Sequence, residues 1–132
     1  MNSREQVEIA RNKIATIDHS GYELRSVLAV REAALADADA YDKAGKDLPL
    51  GGQPILIKDN IEAVGLPGTA GSLALADATV LSDSPLVTRL KEAGAIIVGA
   101  TNLSEWANIR STKSTSGWSR SEERRVGKEC RL

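Results

Sequence analysis

The chain has 132 residues, 42% of them hydrophobic and 27% charged, with 3% aromatic residues and no Phe; this balance suits one small globular domain with an aliphatic core. A formal net charge of −1 supplies no electrostatic footprint for nucleic acid or an anionic membrane surface. One cysteine, Cys130, and one histidine, His19, exclude an internal disulfide, a multi-cysteine zinc site and a histidine-based metal cluster.

Residues 3–17 carry Val7, Ala10, Ile14 and Ile17 at helical spacing, which predicts an amphipathic helix. Ser3 is the expected N-cap, with Gln6 three residues on as in a capping box. This opening is not a secretory leader, so the expected location is the cytoplasm. Asp18-His19-Ser20-Gly21 breaks the helix, and His19 reads as a surface turn residue. Residues 24–30 suit a short extended segment. A second helix is expected over 31–44, with Ala34, Leu35, Ala38 and Tyr41 on one face and Gly45 in the left-handed position past its end. That face is narrow and small, and is expected to pack on something larger than this chain supplies.

The middle of the chain changes pattern. Pro54-Ile55-Leu56-Ile57 is a continuous apolar run, the mark of a strand covered on both faces. It stops at Lys58-Asp59-Asn60, and a loop rich in Gly, Thr, Ser and Ala covers 65–72. Ser84-Pro85 opens a third helix over 85–93, with Pro in the first turn where its missing N–H is harmless. Leu86, Val87 and Leu90 give that helix a face, and Gly94 ends it. Ala95–Val98 reads as a second buried strand. A further helical turn starts near Ser104, with Glu105 expected on its exposed side and Trp106 on its buried side. Helix followed directly by strand points to an α/β protein. No apolar run approaches the roughly 20 residues that span a bilayer.

After Ser119 the composition shifts: residues 120–132 hold five basic and three acidic side chains. Glu122, Glu123 and Glu129 interrupt the basic residues, which weakens any nucleic-acid reading. The string from Arg120 to Cys130 resembles a translated sequencing-library adapter. Residues 120–132 are therefore expected to be a non-native tail, and Cys130 to say nothing about redox compartment.

Among residues that could carry chemistry, Lys58 stands at the C-terminal end of a buried strand, the sheet edge where ligand sites gather in α/β folds. A lysine partly desolvated there can accept a proton. Equally, it can leave the core and extend its ammonium into water, the reading that position alone favours. Asp59, its neighbour on an extended strand, points to the opposite face and is expected to stabilise the turn that follows. The glycine-rich loop 65–72 lacks the Gly-Lys-Ser/Thr ending of a phosphate loop. It reads instead as a tight loop where backbone approaches backbone. No serine sits in a Gly-x-Ser-x-Gly elbow.

Taken together, three stretches resemble the amidase-signature family: Leu50-Gly-Gly-Gln-Pro-Ile-Leu-Ile-Lys-Asp-Asn-Ile61, Gly65-Leu-Pro-Gly-Thr-Ala-Gly-Ser-Leu-Ala-Leu75 and Ser84-Pro-Leu-Val-Thr-Arg-Leu-Lys-Glu-Ala-Gly-Ala-Ile-Ile-Val-Gly99. Thr101-Asn-Leu-Ser-Glu-Trp-Ala-Asn108 and Ser116-Gly-Trp-Ser119 continue the likeness in order and spacing. Ala100 departs from it, at a position where the family often has Lys. The resemblance implies an α/β fold whose mixed sheet is flanked by helices, with residues 1–119 a partial domain. It implies hydrolysis of a carboxamide C–N bond by a Ser–Ser–Lys triad, without metal or organic cofactor, on a small-molecule amide. Lys58 takes the place of the base. Both serines of the family belong to a region beyond Ser119, so no serine here is assigned, and the chain is expected to be inactive alone. An amidotransferase A-type subunit that releases ammonia from glutamine, or a non-catalytic scaffold fragment, are the alternatives. Members often begin upstream of the position of Asn2-Ser3-Arg4-Glu5, which leaves room for a further N-terminal segment.

Overall fold

A computed structural model describes residues 1–108. The expected segment at Ser116–Ser119 and the tail at 120–132 lie outside the described residues. Helix α1 spans Ser3–Lys13. Its cap is Asn2, one residue earlier than the sequence suggested: the Asn2 side chain accepts from the Glu5 N–H at 2.8 Å, and the Asn2 N–H donates to the Glu5 carboxylate at 3.0 Å. This reciprocal pair satisfies two amide donors of the helix start. Ser3, freed from capping, is buried against the backbone of Gly52. The Ser3 and Arg4 amides donate to the Asp42 carboxylate at 3.0 and 3.1 Å. The Ser3 hydroxyl, with these two amides and against an opposing effect of burial, holds the Asp42 carboxyl below its usual range.

The chain then widens into a π-turn, Ile14–Asp18, closed by the His19 N–H donating to the Ile14 carbonyl at 2.9 Å. The widening takes Ile17 out of phase with Val7 and Ile14, so Ile17 is exposed although the sequence placed it on the core face. Strand β1 is Val27–Val30 and helix α2 is Ala34–Ala44. Helix α2 begins three residues later than expected because Arg31 stays with the sheet, its N–H donating to the Val98 carbonyl at 2.7 Å. Gly45 ends it at φ 59°, in the left-handed region.

Strand β2 is Pro54–Lys58, helix α3 is Pro85–Glu92 and strand β3 is Ile96–Thr101. Short 3-10 turns occur at Leu73–Leu75 and Glu105–Asn108. Ser84 caps α3, its hydroxyl accepting from the Val87 N–H at 3.3 Å, with Pro85 in the first turn. The strands form one mixed sheet in the order β1-β3-β2, with β1 antiparallel and β2 parallel to β3. A parallel pair needs a crossover, and α3 lies within it.

Two apolar clusters cover the two faces. Val7, Ile14, Val27, Ala34, Ala38, Ile96 and Val98 form one, so the small face of α2 is covered within the chain by α1 and β3 rather than by something larger. Ile57, Ala63, Leu66, Val87, Ile97 and Ala100 form the other. Ile55 pairs with Ile97 but Leu56 with Gly99, so β3 carries an extra residue at Val98. That bulge breaks the strict alternation and lets Ile97 and Ala100, three apart, share one cluster. Helix α3 enters it through Val87 and Leu90, whereas Leu86 is exposed, contrary to the expected face. Likewise Leu56 is 39% exposed, because β2 is an edge strand here and not covered on both sides. Among the described residues, no helix is long and apolar enough to cross a membrane.

Candidate active site at the carboxyl end of strand β2

Strand β2 ends on Lys58, which is exposed, and the next residue, Asp59, is buried. The two side chains thus take opposite directions, as an extended backbone requires. Lys58 is the register partner of Thr101 at the end of β3. The Asp59 N–H donates to the Thr101 carbonyl at 3.0 Å, closing the sheet at this end.

Asp59 then reaches across to the glycine-rich loop. Its carboxylate accepts from the Gly68 N–H at 2.9 Å, the Thr69 N–H at 3.1 Å and the Thr69 hydroxyl. Its carbonyl accepts from the Ala70 N–H at 2.9 Å. The expectation that Asp59 steadies the chain after β2 holds, although the stretch it grips is the loop at 68–70 rather than the immediate turn. The loop passes through the left-handed region at Gly68, Ala70 and Gly71 (φ 64°, 50° and 74°). Ala70 carries a steric penalty there of about 1–2 kcal/mol, which its backbone bonds to Asp59 and to the Trp106 N–H (2.8 Å) offset. A Cβ on Gly71 would stand 2.9 Å from the Leu103 carbonyl oxygen, so the backbones do pass in close contact, as the tight-loop reading anticipated.

The 3-10 turn after β3 completes this end of the sheet. The buried Ser72 hydroxyl donates to the Glu105 carboxylate at 2.9 Å. Trp106 is 56% exposed. The sequence had these two sides reversed: polarity suggested that Glu105 faces water, but a buried serine holds it inward. A spacing signal for that contact was absent, since Ser72 and Glu105 meet only through the fold.

His19 lies at the same end of the sheet but beside the other edge strand, its Nε2 2.9 Å from the carbonyl oxygen of Val27, which pairs with Thr101 across from Lys58. Beside it, the buried Asp18 carboxylate accepts from the Ser26 N–H at 2.8 Å, the Val27 N–H at 3.0 Å and the Ser26 hydroxyl. Burial pushes Asp18 up, but the Ser26 hydroxyl and the two amides outweigh it and hold the carboxyl below its ordinary range. Among the described residues, no three His, Cys, Asp or Glu side chains converge as a metal ion would need.

The class defined here is an α/β domain whose mixed sheet presents a lysine at the carboxyl end of a parallel strand, beside a glycine-rich loop pinned by an aspartate. Residues 8–118 match the Amidase family profile. The chain belongs to the amidase family. It is 43% identical over 112 residues to mandelamide hydrolase of Pseudomonas putida, covering 81% of this chain and 21% of that protein. It is 41% identical over 106 residues to the A-type subunit of the glutamyl-tRNA(Gln) amidotransferase of Nitratidesulfovibrio vulgaris, covering 78% of this chain and 22% of that protein. In structure it superposes on native peptide amidase from Stenotrophomonas maltophilia with a TM-score of 0.82 at 42% identity, over 89% of this chain and 25% of that one. The fold is the N-terminal part of the amidase-signature fold, and the chain spans about a fifth of the length of the curated relatives it matches.

Proposed function

We propose that this chain belongs to an enzyme that hydrolyses a carboxamide C–N bond, with Lys58 as the base of a Ser–Ser–Lys triad. The observation that carries the proposal is the placement of Lys58. It leaves the sheet at the carboxyl end of β2, exposed, while Asp59 fixes the loop beside it. An amide carbonyl is a poor electrophile, so a serine hydroxyl must lose its proton as it attacks. A neutral lysine amine accepts that proton through a bridging serine hydroxyl. The serine Oγ bonds to the carbonyl carbon, and backbone N–H donors hold the resulting oxyanion. The C–N bond then breaks, the leaving nitrogen takes the proton, and water releases the acyl group. Lys58 is the one member of the triad assigned to this sequence.

The likeness to the Nitratidesulfovibrio vulgaris amidotransferase supports a second reading, release of ammonia from glutamine for transfer, which uses the same first half-reaction. Recovering the gene downstream of Ser119 separates the two. The restored chain is assayed on aliphatic and aromatic amides and on glutamine, alongside Lys58→Ala. Loss of all Lys58-dependent turnover on every substrate, or a restored frame without two candidate serines, would sink the proposal.

A further inference from the structure

We infer that Thr101 is a positioning residue for Lys58: its hydroxyl, opposite the lysine on the same face of the sheet, gives the Lys58 amine a fixed partner at the carboxyl end of β2. The inference rests on the reading of Lys58 as the base of an amide hydrolase.

Lys58 and Thr101 are register partners in the parallel pair of β2 and β3, and the Asp59 N–H donates to the Thr101 carbonyl at 3.0 Å. Directly opposed residues on neighbouring strands, about 4.8 Å apart, send their side chains to the same face. The two apolar clusters identify that face. Ile57 and Ala100, the residues just before the pair, belong to the cluster that α3 enters. Their successors therefore face the side of α1 and α2, where Val27, the partner of Thr101 on β1, is buried. Lys58, Thr101 and Val27 thus form one row across the three strands. Thr101 is the middle member and is braced from both sides. On the β1 side the Asn102 N–H donates to the Ser26 carbonyl at 2.8 Å, and the Asp18 carboxylate fixes the Ser26 and Val27 amides in turn. A β-branched side chain on a backbone so held has few rotamers, which suits a residue that must orient another.

The chemistry of a lysine base selects this kind of neighbour. The ammonium only donates hydrogen bonds, whereas the neutral amine has a lone pair that accepts one. A threonine hydroxyl accepts from the first and donates to the second, so it holds Nζ without favouring either charge. A carboxylate in the same place would stabilise the ammonium and oppose the loss of its proton. The acidic groups around this end of the sheet are engaged elsewhere. Asp59 faces the other way and is gripped by Gly68 and Thr69, Asp18 is gripped by Ser26 and Val27, and Glu105 accepts from Ser72. The uncharged Thr101, half-buried beside the exposed lysine, is left as the polar group in its row.

Two readouts test this. In the full 132-residue chain, NMR relaxation of the Lys58 ε-methylene carbon reports how firmly the amine is held. The chain restored downstream of Ser119 supplies kcat and KM. Thr101→Val keeps the shape of the side chain and removes the hydroxyl; Thr101→Ser keeps the hydroxyl. The expected result is that the Val variant gives Lys58 the mobility of a free surface lysine, while the Ser variant retains the order of the parent chain. In the restored chain Thr101→Val should lower kcat about tenfold, the worth of one neutral hydrogen bond, with KM unchanged, and Thr101→Ser should recover most of that loss. Should the Val variant fail to fold, Thr101→Ala takes its place with the same expectations. Equal Lys58 mobility in the parent chain and the Val variant overturns the inference. So does an equal loss of kcat in the Val and Ser variants, which would make residue 101 a matter of packing alone, or an active restored chain whose kcat the Val variant leaves unchanged. A restored chain with no Lys58-dependent hydrolysis counts against the amide-hydrolase reading instead, and the relaxation measurement then decides by itself whether Thr101 holds Lys58.

Discussion

The Asp59 carboxylate and the Thr69 side chain are hydrogen-bonded partners with almost no contact with water, 1% and 0% exposed. They lie ten residues apart, and through them the end of β2 is tied to the glycine-rich loop. Asp59→Ala removes the acceptor shared by the Gly68 and Thr69 amides. Such a loss costs about 1–3 kcal/mol of local stability for each stranded donor. The expected outcome is faster hydrogen exchange at Gly68, Thr69 and Ala70, with Ile97 and Val98 in β3 unchanged. Equal acceleration throughout the sheet would show that Asp59 supports the whole domain rather than the loop.

Acid should loosen the connection between the π-turn and β1. Asp18 has a folded-state affinity for protons below the unfolded one, through the hydrogen bonds from Ser26 and Val27 that outweigh its burial. The sign follows from linkage: the contribution is complete above the unfolded value of about 3.9 and is lost as pH falls through the lower folded value. Exchange-corrected protection of the Ser26 and Val27 amides should hold near neutrality and fall below about pH 4. Asp18→Asn should remove that pH dependence, and a steep fall that survives the substitution would place the cause elsewhere.

Two glycines with similar backbone angles should respond differently to alanine. Gly45 (φ 59°) has open space where a Cβ would stand, so Gly45→Ala meets only the left-handed penalty of about 1 kcal/mol. Gly71 (φ 74°) adds a clash with the carbonyl oxygens of Leu103 and Ser104 at 2.9 and 3.0 Å, both of them backbone atoms that cannot swing aside. Limited proteolysis should cut the 60–83 region of Gly71→Ala much faster than that of the parent chain, and leave Gly45→Ala close to it. Comparable susceptibility in the two variants would mean the 102–104 backbone yields readily.

Made alone, the chain is expected to be marginally folded. Leu56, Leu73, Leu81 and Leu86 are all exposed, and a three-stranded sheet with one open apolar edge invites association. Heating monitored by circular dichroism should give a broad, concentration-dependent change. A sharp, reversible transition independent of concentration would refute this.

On the proposed triad, with both serines beyond Ser119, the isolated chain should also show no amide hydrolysis above the rate of its Lys58→Ala variant, because a base without a nucleophile forms no acyl-enzyme. Turnover that depends on Lys58 would mean that a serine within residues 72–119 serves as nucleophile.

Much of this fold was legible because local chemistry and tertiary structure agree. Gly45, Ser84-Pro85 and Gly94 mark helix boundaries by rules that need no partner, and the apolar runs at 54–57 and 95–98 became β2 and the core of β3. The errors fall where a distant residue decides. Ser3 looks as good a cap as Asn2 until Gly52 packs on it. Leu86 and Val87 are equally apolar, and only the position of the sheet selects Val87. Glu105 turns inward for Ser72, which nothing near it in sequence announces. The mixed strand order is a property of how three segments meet, and no single segment encodes it. At the site, Lys58 and Asp59 were visible from their place at a strand end, but the stretch that Asp59 grips was not.

The extra residue at Val98 reaches further than the core it reshuffles. Had Val98 taken a regular place in the ladder, the pairing that begins with Ile55 and Ile97 would have brought Ala100 alongside Lys58; because Val98 is passed over, Thr101 stands there. One residue left out of the ladder thus resets the phase of the strand, and the neighbour of the lysine becomes a hydroxyl instead of a methyl. The polarity around Lys58 is in this sense fixed by a counting step within β3, upstream of the pair it governs. A deletion of Val98 would remove the bulge and leave Lys58 opposite Thr101, whereas an insertion of one paired residue between Gly99 and Thr101 would bring Ala100 or the new residue there instead.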